Sequence, residues 1–287
     1  MASDRRFEAG NFSMENVLSF LNHLLPVLYA AAWVNYSVYF VRDDPFAQRT
    51  ATPFLLATAG IHILYIGVLV IAYRHHPMAD VFEILSVVAL AMSLVYLTVE
   101  WRTGNKATGV FILPVVCILQ FISSVWISPV AEIDPFLDDV RFGLHSGTVA
   151  LGYSAFFLAA VYGFMYHLMY RALRRKKFGR IFERLPSLDV LARMTRGATL
   201  VGFIFLSLAI AFGISWASGL IPRYYYDPKF ITTLLVWLVY GFALLSHYVL
   251  RWTGRRVVQM SLVGFAVMVA AILIVNLFLP SFHRFGG

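Results

Sequence analysis

Eight runs of about 20 apolar residues restrict the possible folds of this chain more than any other feature of its sequence. At a rise of 1.5 Å per residue, each run is long enough to cross the hydrocarbon core of a bilayer as an α-helix. Of the 287 residues, 60% are hydrophobic and 13% are charged, against about 45–50% and 25% in soluble domains. We therefore expect an integral membrane protein. The runs lie at 15–41, 51–73, 80–100, 108–129, 146–170, 197–219, 230–250 and 257–279.

These runs also predict how the backbone is hydrogen-bonded inside the membrane. Lipid offers no hydrogen-bond partners, so only helices and closed β-barrels can span it. Barrel strands would appear as segments of about 10 residues with alternating hydrophobicity, and these runs do not alternate. The first run is longer than a signal-peptide core and is interpreted as a retained helix. The sequence therefore predicts an all-α bundle of eight transmembrane helices, with residues 1–287 forming a single domain.

Lysine and arginine are distributed unequally between the two sets of loops that eight spans create. One set carries 16 of the 23, including nine between 171 and 196, and the other carries seven. Because Lys and Arg concentrate in cytoplasmic loops, the basic loop 171–196 is expected inside, and both termini on the outer, periplasmic side of a bacterial cytoplasmic membrane. The formal net charge of +8 is then explained by topology, and it gives no reason to expect a nucleic-acid partner.

The basic loop contains a short helical pattern. Ser187 precedes Leu188, Leu191 and Met194, which share one helical face. We predict a short amphipathic helix, capped by Ser187, that lies along the membrane surface. A solvated basic loop that only sets the topology is the alternative.

Ionisable side chains are rare inside the predicted spans. No Lys, Arg, Asp or Glu falls in the middle third of any run; Glu83 and Glu100 lie at opposite ends of the third run. Ion-coupled transporters generally need charged groups at mid-membrane depth, so their absence argues against a secondary transporter. The single cysteine, Cys117, excludes a disulfide or a thiolate metal cluster built from this chain alone.

Histidines remain as candidates for chemistry. For an intramembrane histidine, a hydrogen bond between helices is the more common role, and metal ligation is the alternative. His145 opens the fifth span and His283 follows the eighth, both on the side expected to face outward. His23, His62, His167 and His247 lie within spans.

An aromatic segment, "IPRYYYDPKF", lies on the same expected outer side between the sixth and seventh spans. Tyr224, Tyr225 and Tyr226 alone would be typical of an aromatic belt at the headgroup level. With two outer histidines nearby, the segment could instead serve bis-histidine haem ligation, which needs flat rings against the porphyrin and cations for the propionates. Zinc is the competing metal, but closed zinc sites would need carboxylates here. The available carboxylates are Asp227, Glu132, Asp134, Asp138 and Asp139.

Four stretches of the chain resemble the CcsA/CcmC/HemX group of cytochrome c assembly membrane proteins, which is defined by a tryptophan-rich "WWD" outer segment. The stretches are "HHPMADVFEILSVVALAMSLVYLTVEW", "LPSLDVLARMTRGATLVGFIFLSLAIAFG", "YDPKFITTLLVWLVYG" and "VNLFLPSFHRFGG". The resemblance itself extends over most of the chain. The resemblance implies a haem-handling domain with a WWD-like segment at 216–237.

The resemblance also implies roles for individual residues. His145 and His283 match the two outer axial ligands of the haem iron, with haem b as the expected group. His247 matches a transmembrane haem ligand, whose opposite ligand is supplied by a CcsB-like partner in the synthases; His62 and His167 are the alternatives within this chain. The WWD-like site residues are Trp216, Arg223, Tyr224, Tyr225, Tyr226, Asp227, Lys229 and Trp237.

Two functions follow from the resemblance. The first is a membrane component of cytochrome c biogenesis that presents haem on the outer face for attachment to the CxxCH motif of an apocytochrome c, with a CcsB-like protein and thiol-disulfide reductases as partners. Whether it forms part of a haem lyase system stays open. Tyrosines stand where the synthases have tryptophans, and Phe230 replaces a glutamate. These departures favour the alternative, a HemX-like non-catalytic adaptor or regulator of haem metabolism, or an accessory subunit of a respiratory assembly.

Overall fold

Long helices make up the structure, a computed structural model that describes residues 2–73, 75–78, 80–127, 139–176, 184–220, 223–252 and 254–278. For 2–13, 248 and 276–278 it describes the backbone alone. Within these ranges it contains no strand, and eight helices are long and apolar enough to cross a membrane, which confirms the predicted all-α class. They are α1 (Ala2–Arg42), α2 (Pro45–Tyr73), α3 (Val81–Thr103), α4 (Gly109–Trp126), α5 (Val140–Arg174), α6 (Leu188–Ala217), α7 (Pro228–Tyr248) and α8 (Arg255–Phe278).

The helices divide into two compact units. The first comprises Met1–Leu94 and Gly109–Gly143, and the second comprises Val95–Thr108 and Leu144–Gly287. In the first unit α1 packs against α2 and α4. In the second unit α6, α7 and α8 pack against one another. That the two units work as one domain stays a prediction.

Buried polar side chains link four helices of the first unit. Tyr29 Oη on α1 lies 3.0 Å from His62 Nδ1 on α2, and His62 Nε2 lies 2.9 Å from Ser86 Oγ on α3. Ser86 donates its one hydroxyl hydrogen to Gln120 Oε1 on α4 at 3.0 Å. Ser86 must therefore accept from His62 Nε2–H, which leaves Nδ1 to accept from Tyr29. His62 thus takes the role of hydrogen bonding between helices.

The same network continues across the first unit. Gln120 donates to Ser124 Oγ at 3.1 Å, and Ser124 Oγ donates to the Asn22 carbonyl at 2.8 Å. Asn22 Nδ2 returns a bond to the Ser124 carbonyl at 3.0 Å, and Tyr65 Oη donates to Asn22 Oδ1 at 3.3 Å. Each side chain of the network provides a hydrogen-bond partner for the next. The network thereby avoids the free-energy cost of unpaired polar groups in a dry interior.

Aromatic rings and glycines fill the core of the second unit. Phe156 on α5 stacks on Tyr240 on α7 with ring centroids 3.6 Å apart, and both side chains are fully buried. A Cβ added to Gly202 on α6 would lie 2.6 Å from the Phe156 ring, and one added to Gly264 on α8 would lie 2.9 Å from the Tyr240 ring. Small residues at these two positions therefore make room for the stacked pair.

The prediction of a separate surface helix after Ser187 was wrong. Leu188 begins α6, which continues without interruption to Ala217, and Leu191 and Met194 are fully buried. Ser187 occupies the N-cap position, but its side chain makes no capping hydrogen bond. The apolar face that suggested contact with the membrane surface is instead covered by protein. Since α5 extends to Arg174, the segment that connects the two helices is shorter than the predicted loop 171–196.

Candidate functional site

His145 lies in the second turn of α5 and contacts the backbone of α6. Its Nδ1 is 2.8 Å from the carbonyl oxygen of Ala209. A carbonyl can only accept a hydrogen bond, so the proton of the neutral ring must sit on Nδ1 and the lone pair on Nε2. Metal-ligating histidines commonly hold their tautomer in this way, with one ring N–H donated to a backbone carbonyl. The geometry at His145 therefore suits ligation through Nε2.

The imidazole of His145 fits against α6 because residue 213 is a glycine. A Cβ added to Gly213 would lie 2.8 Å from His145 Nδ1 and 2.9 Å from Cε1, closer than real Cβ contacts. Gly213 precedes Trp216 by three residues, about one helical turn. His145 is thus held beside the end of α6 that leads into the tyrosine segment.

The helix that carries His145 has a capped first turn. The carboxylate of Asp139 accepts from the backbone N–H of Arg141 at 2.7 Å and from its guanidinium at 2.7 Å. These hydrogen bonds with Arg141 hold the pKa of Asp139 below its ordinary value. Asp139 therefore caps the start of α5, and its carboxylate is engaged there in hydrogen bonds.

Three consecutive tyrosines form a single 3-10 turn, Tyr224–Tyr226, between α6 and α7. Arg223 precedes it in the left-handed conformation, with φ of 60°. Tyr224 is half-buried and packs edge-on against Phe230, with centroids 5.6 Å apart. Tyr225 and Tyr226 are 51% and 68% exposed, and their rings lie 4.7 Å apart. Two of the three predicted aromatic rings therefore face outward from the protein.

Asp227 has a clear structural role as the N-cap of α7. Its carboxylate accepts from the backbone N–H of Lys229 at 2.8 Å, and Pro228 occupies the first turn. Its side chain is buried, with 6% of the residue exposed. The "DPK" part of the motif thus starts a helix, because an aspartate cap followed by proline suits the first turn.

The two tryptophans predicted to flank the segment have different surroundings. Trp216, in the last turn of α6, is 3% exposed. Trp237 lies near the middle of α7, where its indole N–H donates to Ser207 Oγ at 2.8 Å and its ring stacks on Phe203 with centroids 5.3 Å apart. In this structure Trp237 joins α7 to α6 and belongs to the helix packing.

His247 lies at the opposite end of α7 from Asp227. Their positions differ by 20, from 227 to 247, which corresponds to about 30 Å along a helix, the thickness of a hydrocarbon core. His247 Nδ1 is 2.7 Å from the Trp252 carbonyl oxygen, so this ring also carries its proton on Nδ1. His247 and the tyrosine turn therefore belong to two separate places in the second unit.

His283, the other expected outer ligand, lies outside the described residues, as do Glu132, Asp134 and Asp138. Among the side chains that the structure describes, no group of three or more His, Cys, Asp or Glu residues could hold a metal ion. A closed zinc site therefore gains no support from this part of the chain. Haem differs, since its iron needs at most two axial protein ligands.

Sequence reasoning missed two features of the site. The contact between His145 and Ala209 joins positions that are 64 residues apart, and a backbone carbonyl carries no signature in the sequence. Gly213 was likewise not singled out, although a glycine within an apolar helix is a signal of close approach by a neighbouring group.

Comparison with known proteins adds an independent finding. The family model described as "Cytochrome C assembly protein" matches residues 78–283, a stretch that includes all three histidines of interest. The cytochrome c biogenesis protein CcsA of Guillardia theta is 24% identical over 306 aligned positions, covering 98% of each chain. The CcsA protein of Heterosigma akashiwo is 22% identical, covering 75% of this chain and 78% of its own. Protein HemX of Brevibacillus brevis is 22% identical, covering 78% and 83%.

Proposed function

The chain belongs to the cytochrome c assembly protein family, and on this basis we propose that it is a haem-binding membrane component of cytochrome c biogenesis. It presents haem, as cargo, at the outer face of a bacterial cytoplasmic membrane for attachment to apocytochrome c. The observation that carries the proposal is the tautomer of His145, fixed by the hydrogen bond from Nδ1 to the Ala209 carbonyl. Metal-ligating histidines hold their tautomer in this way, and in His145 the bond runs to a neighbouring helix, which also fixes the position of the ring.

The chain's own residues would bind and orient the cargo. His145 and His283 serve as the axial ligands, and the exposed rings of Tyr225 and Tyr226 offer flat apolar surface. Arg223 and Lys229 supply positive charge for the haem carboxylates. The bonds to the apocytochrome form between haem vinyl groups and the thiols of the CxxCH motif, so this protein contributes positioning.

His247 supports a second contact with haem, during passage across the membrane. It lies about a membrane thickness from the tyrosine turn along α7, and its ring proton is likewise held by a backbone carbonyl. We propose that it ligates haem b there, with the opposite ligand supplied by a CcsB-like partner.

A haem spectrum tests the proposal. The protein is purified in mild detergent after expression with ample haem, together with the variants His145→Gly and His283→Gly. Wild type is expected to show a bis-histidine Soret spectrum, and each variant is expected to lose it at the outer site. His23→Gly is the matched control, because His23 is exposed and bonds to the Ser19 carbonyl of its own helix. Absence of a Soret band in wild type would refute haem presentation.

The alternative function is a HemX-like adaptor or regulator that binds haem without delivering it. Two observations favour it: the tyrosines at the family's tryptophan positions and the likeness to Protein HemX. Co-expression with an apocytochrome c that carries CxxCH, a CcsB-like partner and a thiol-disulfide reductase separates the two functions. Covalent haem on the apocytochrome supports the presenting role. Haem that stays on this protein, with no maturation, supports the alternative.

A further inference from the structure

A cavity of about 350 Å³ opens in the second unit between the end of α3 and the first turns of α6. Three arginines contribute to its lining, Arg102 from α3 and Arg193 and Arg196 from α6. Its other walls are largely aliphatic and include Val99, Met194 and Leu200. On α6 the cavity is lined by residues within 190–201, whereas the tyrosine turn follows the other end of that helix. The proposed outer haem site does not use the cavity.

The charged residues that line the cavity, as far as the structure describes them, are all arginines. Among the described side chains, no acidic residue lines the cavity, and none of the three arginines forms an ion pair with a carboxylate. Concentrated guanidinium groups repel one another unless an anion lies among them, and their planar donors match the oxygens of phosphate or carboxylate. The cavity therefore suits a ligand with a negative group.

In both helices, the residues that line the cavity come partly from the apolar run and partly from the charged sequence next to it. Arg102 follows the apolar run that ends at 100, and Arg193 and Arg196 precede the run that begins at 197. Val99 and Leu200 belong to those runs. A ligand here would have its anionic group at the level of the membrane headgroups and its apolar part at the level of the hydrocarbon.

We propose that this cavity binds an anionic phospholipid, with its phosphodiester group among Arg102, Arg193 and Arg196 and an acyl chain along the aliphatic wall. Basic pockets between membrane-spanning helices are a recurrent way of binding such headgroups. Haem also combines carboxylates with an apolar body. However, among the residues that the structure describes, no histidine lines the cavity to ligate iron and no aromatic side chain lines it to meet a porphyrin, which favours the phospholipid.

Native mass spectrometry of the full chain measures whether the protein prefers an anionic phospholipid to a zwitterionic one. The purified protein is equilibrated with equal amounts of phosphatidylglycerol and phosphatidylcholine, and the retained lipids are counted. Wild type is expected to retain phosphatidylglycerol preferentially. Arg193→Gln with Arg196→Gln is expected to lower the ratio about tenfold or more, because each cation near an anionic lipid contributes about 1 kcal/mol. The control Arg174→Gln with Arg175→Gln removes the same charge from exposed positions outside the cavity and is expected to leave the ratio unchanged.

A second variant tests the cavity without changing charge. Gly197 lines it, and a Cβ added there meets no atom within 4 Å. Gly197→Leu should therefore fill the cavity while α6 folds, and the phosphatidylglycerol preference should fall as it does in the double arginine variant. The proposal is overturned if the ratio is the same in wild type and both cavity variants, or if the control loses as much. It is also overturned if the cavity variants lose bound haem and keep their lipid.

Discussion

At the scale of single residues, the group that a histidine ring nitrogen contacts shows whether that nitrogen carries the proton. His145 and His247 each point Nδ1 at a backbone carbonyl, whereas both nitrogens of His62 are engaged by side chains, Tyr29 and Ser86. The first arrangement is compatible with ligation through Nε2, and the second serves packing between helices. His23 also bonds through Nδ1 to a carbonyl, that of Ser19 in its own helix. A carbonyl partner therefore fixes the tautomer that ligation needs but does not by itself identify a ligand.

Gly213 should be required for the position of the His145 ring. In Gly213→Ala the new Cβ would displace the imidazole from the Ala209 carbonyl, so we expect a weakened or altered haem spectrum in a folded protein. Gly147→Ala is the matched control, because Gly147 lies two residues from His145 and a Cβ there meets nothing within 4 Å. Absorption spectra at equal protein concentration provide the measurement. Identical spectra for both variants would contradict the role of Gly213.

His62→Leu should destabilise the first unit. The change leaves the Tyr29 hydroxyl and Ser86 without their shared partner, and a stranded buried polar group costs about 1–3 kcal/mol. Thermal unfolding in detergent is expected to shift to lower temperature, while haem bound per folded protein stays unchanged. His23→Leu removes an exposed imidazole and should cause little change. Equal shifts in the two variants would show that the buried network does not stabilise the fold.

At the scale of helices, the WWD-like segment combines a helix start with an exposed aromatic surface. Asp227 and Pro228 begin α7, and the 3-10 turn before them exposes Tyr225 and Tyr226. The motif can therefore be retained for the sake of α7 even where haem is not delivered. The presence of "DPK" in a related sequence is accordingly weaker evidence for a synthase than the aromatic residues before it.

Asp227→Ala and Asp227→Asn separate these roles. Alanine removes the cap and should lower the free energy of unfolding by about 0.5–2 kcal/mol, whereas asparagine retains a side-chain acceptor for the Lys229 N–H and should change it little. Chemical unfolding in detergent measures both effects. If Asp227→Asn folds normally and loses the haem spectrum, the negative charge acts on the cargo, and the role of Asp227 is more than that of a cap.

The sequence predicted each of the eight membrane-spanning helices that the structure describes, because apolar runs of this length are typical of such helices. It misplaced the start of α6 by nine residues, since Arg193 and Arg196 interrupt hydropathy but not helical structure. Those arginines were interpreted only as a topology signal, yet they line a cavity with Arg102, about 90 positions away in the chain. Contacts between distant helices depend on packing that periodicity does not specify.

At the scale of the whole molecule, the charge distribution predicts which side of the membrane each loop occupies. Ser218 follows α6 and Arg175 follows α5, and both are exposed. In a Cys117→Ser background, Ser218→Cys should react with a membrane-impermeant maleimide on intact spheroplasts. Arg175→Cys should react only after lysis. The opposite labelling order would place the tyrosine turn in the cytoplasm and contradict outward haem presentation.

Imidazole rescue of His145→Gly tests ligation at the outer site, on which the proposed function depends. The variant is prepared in a His247→Ala background, so that the transmembrane ligand does not contribute, and its haem spectrum is recorded with and without added imidazole. We predict loss of the bis-histidine Soret spectrum in His145→Gly and its recovery with imidazole, which replaces the missing ring beside Gly213. A spectrum that is the same with and without His145, in the absence of imidazole, would contradict ligation by this residue.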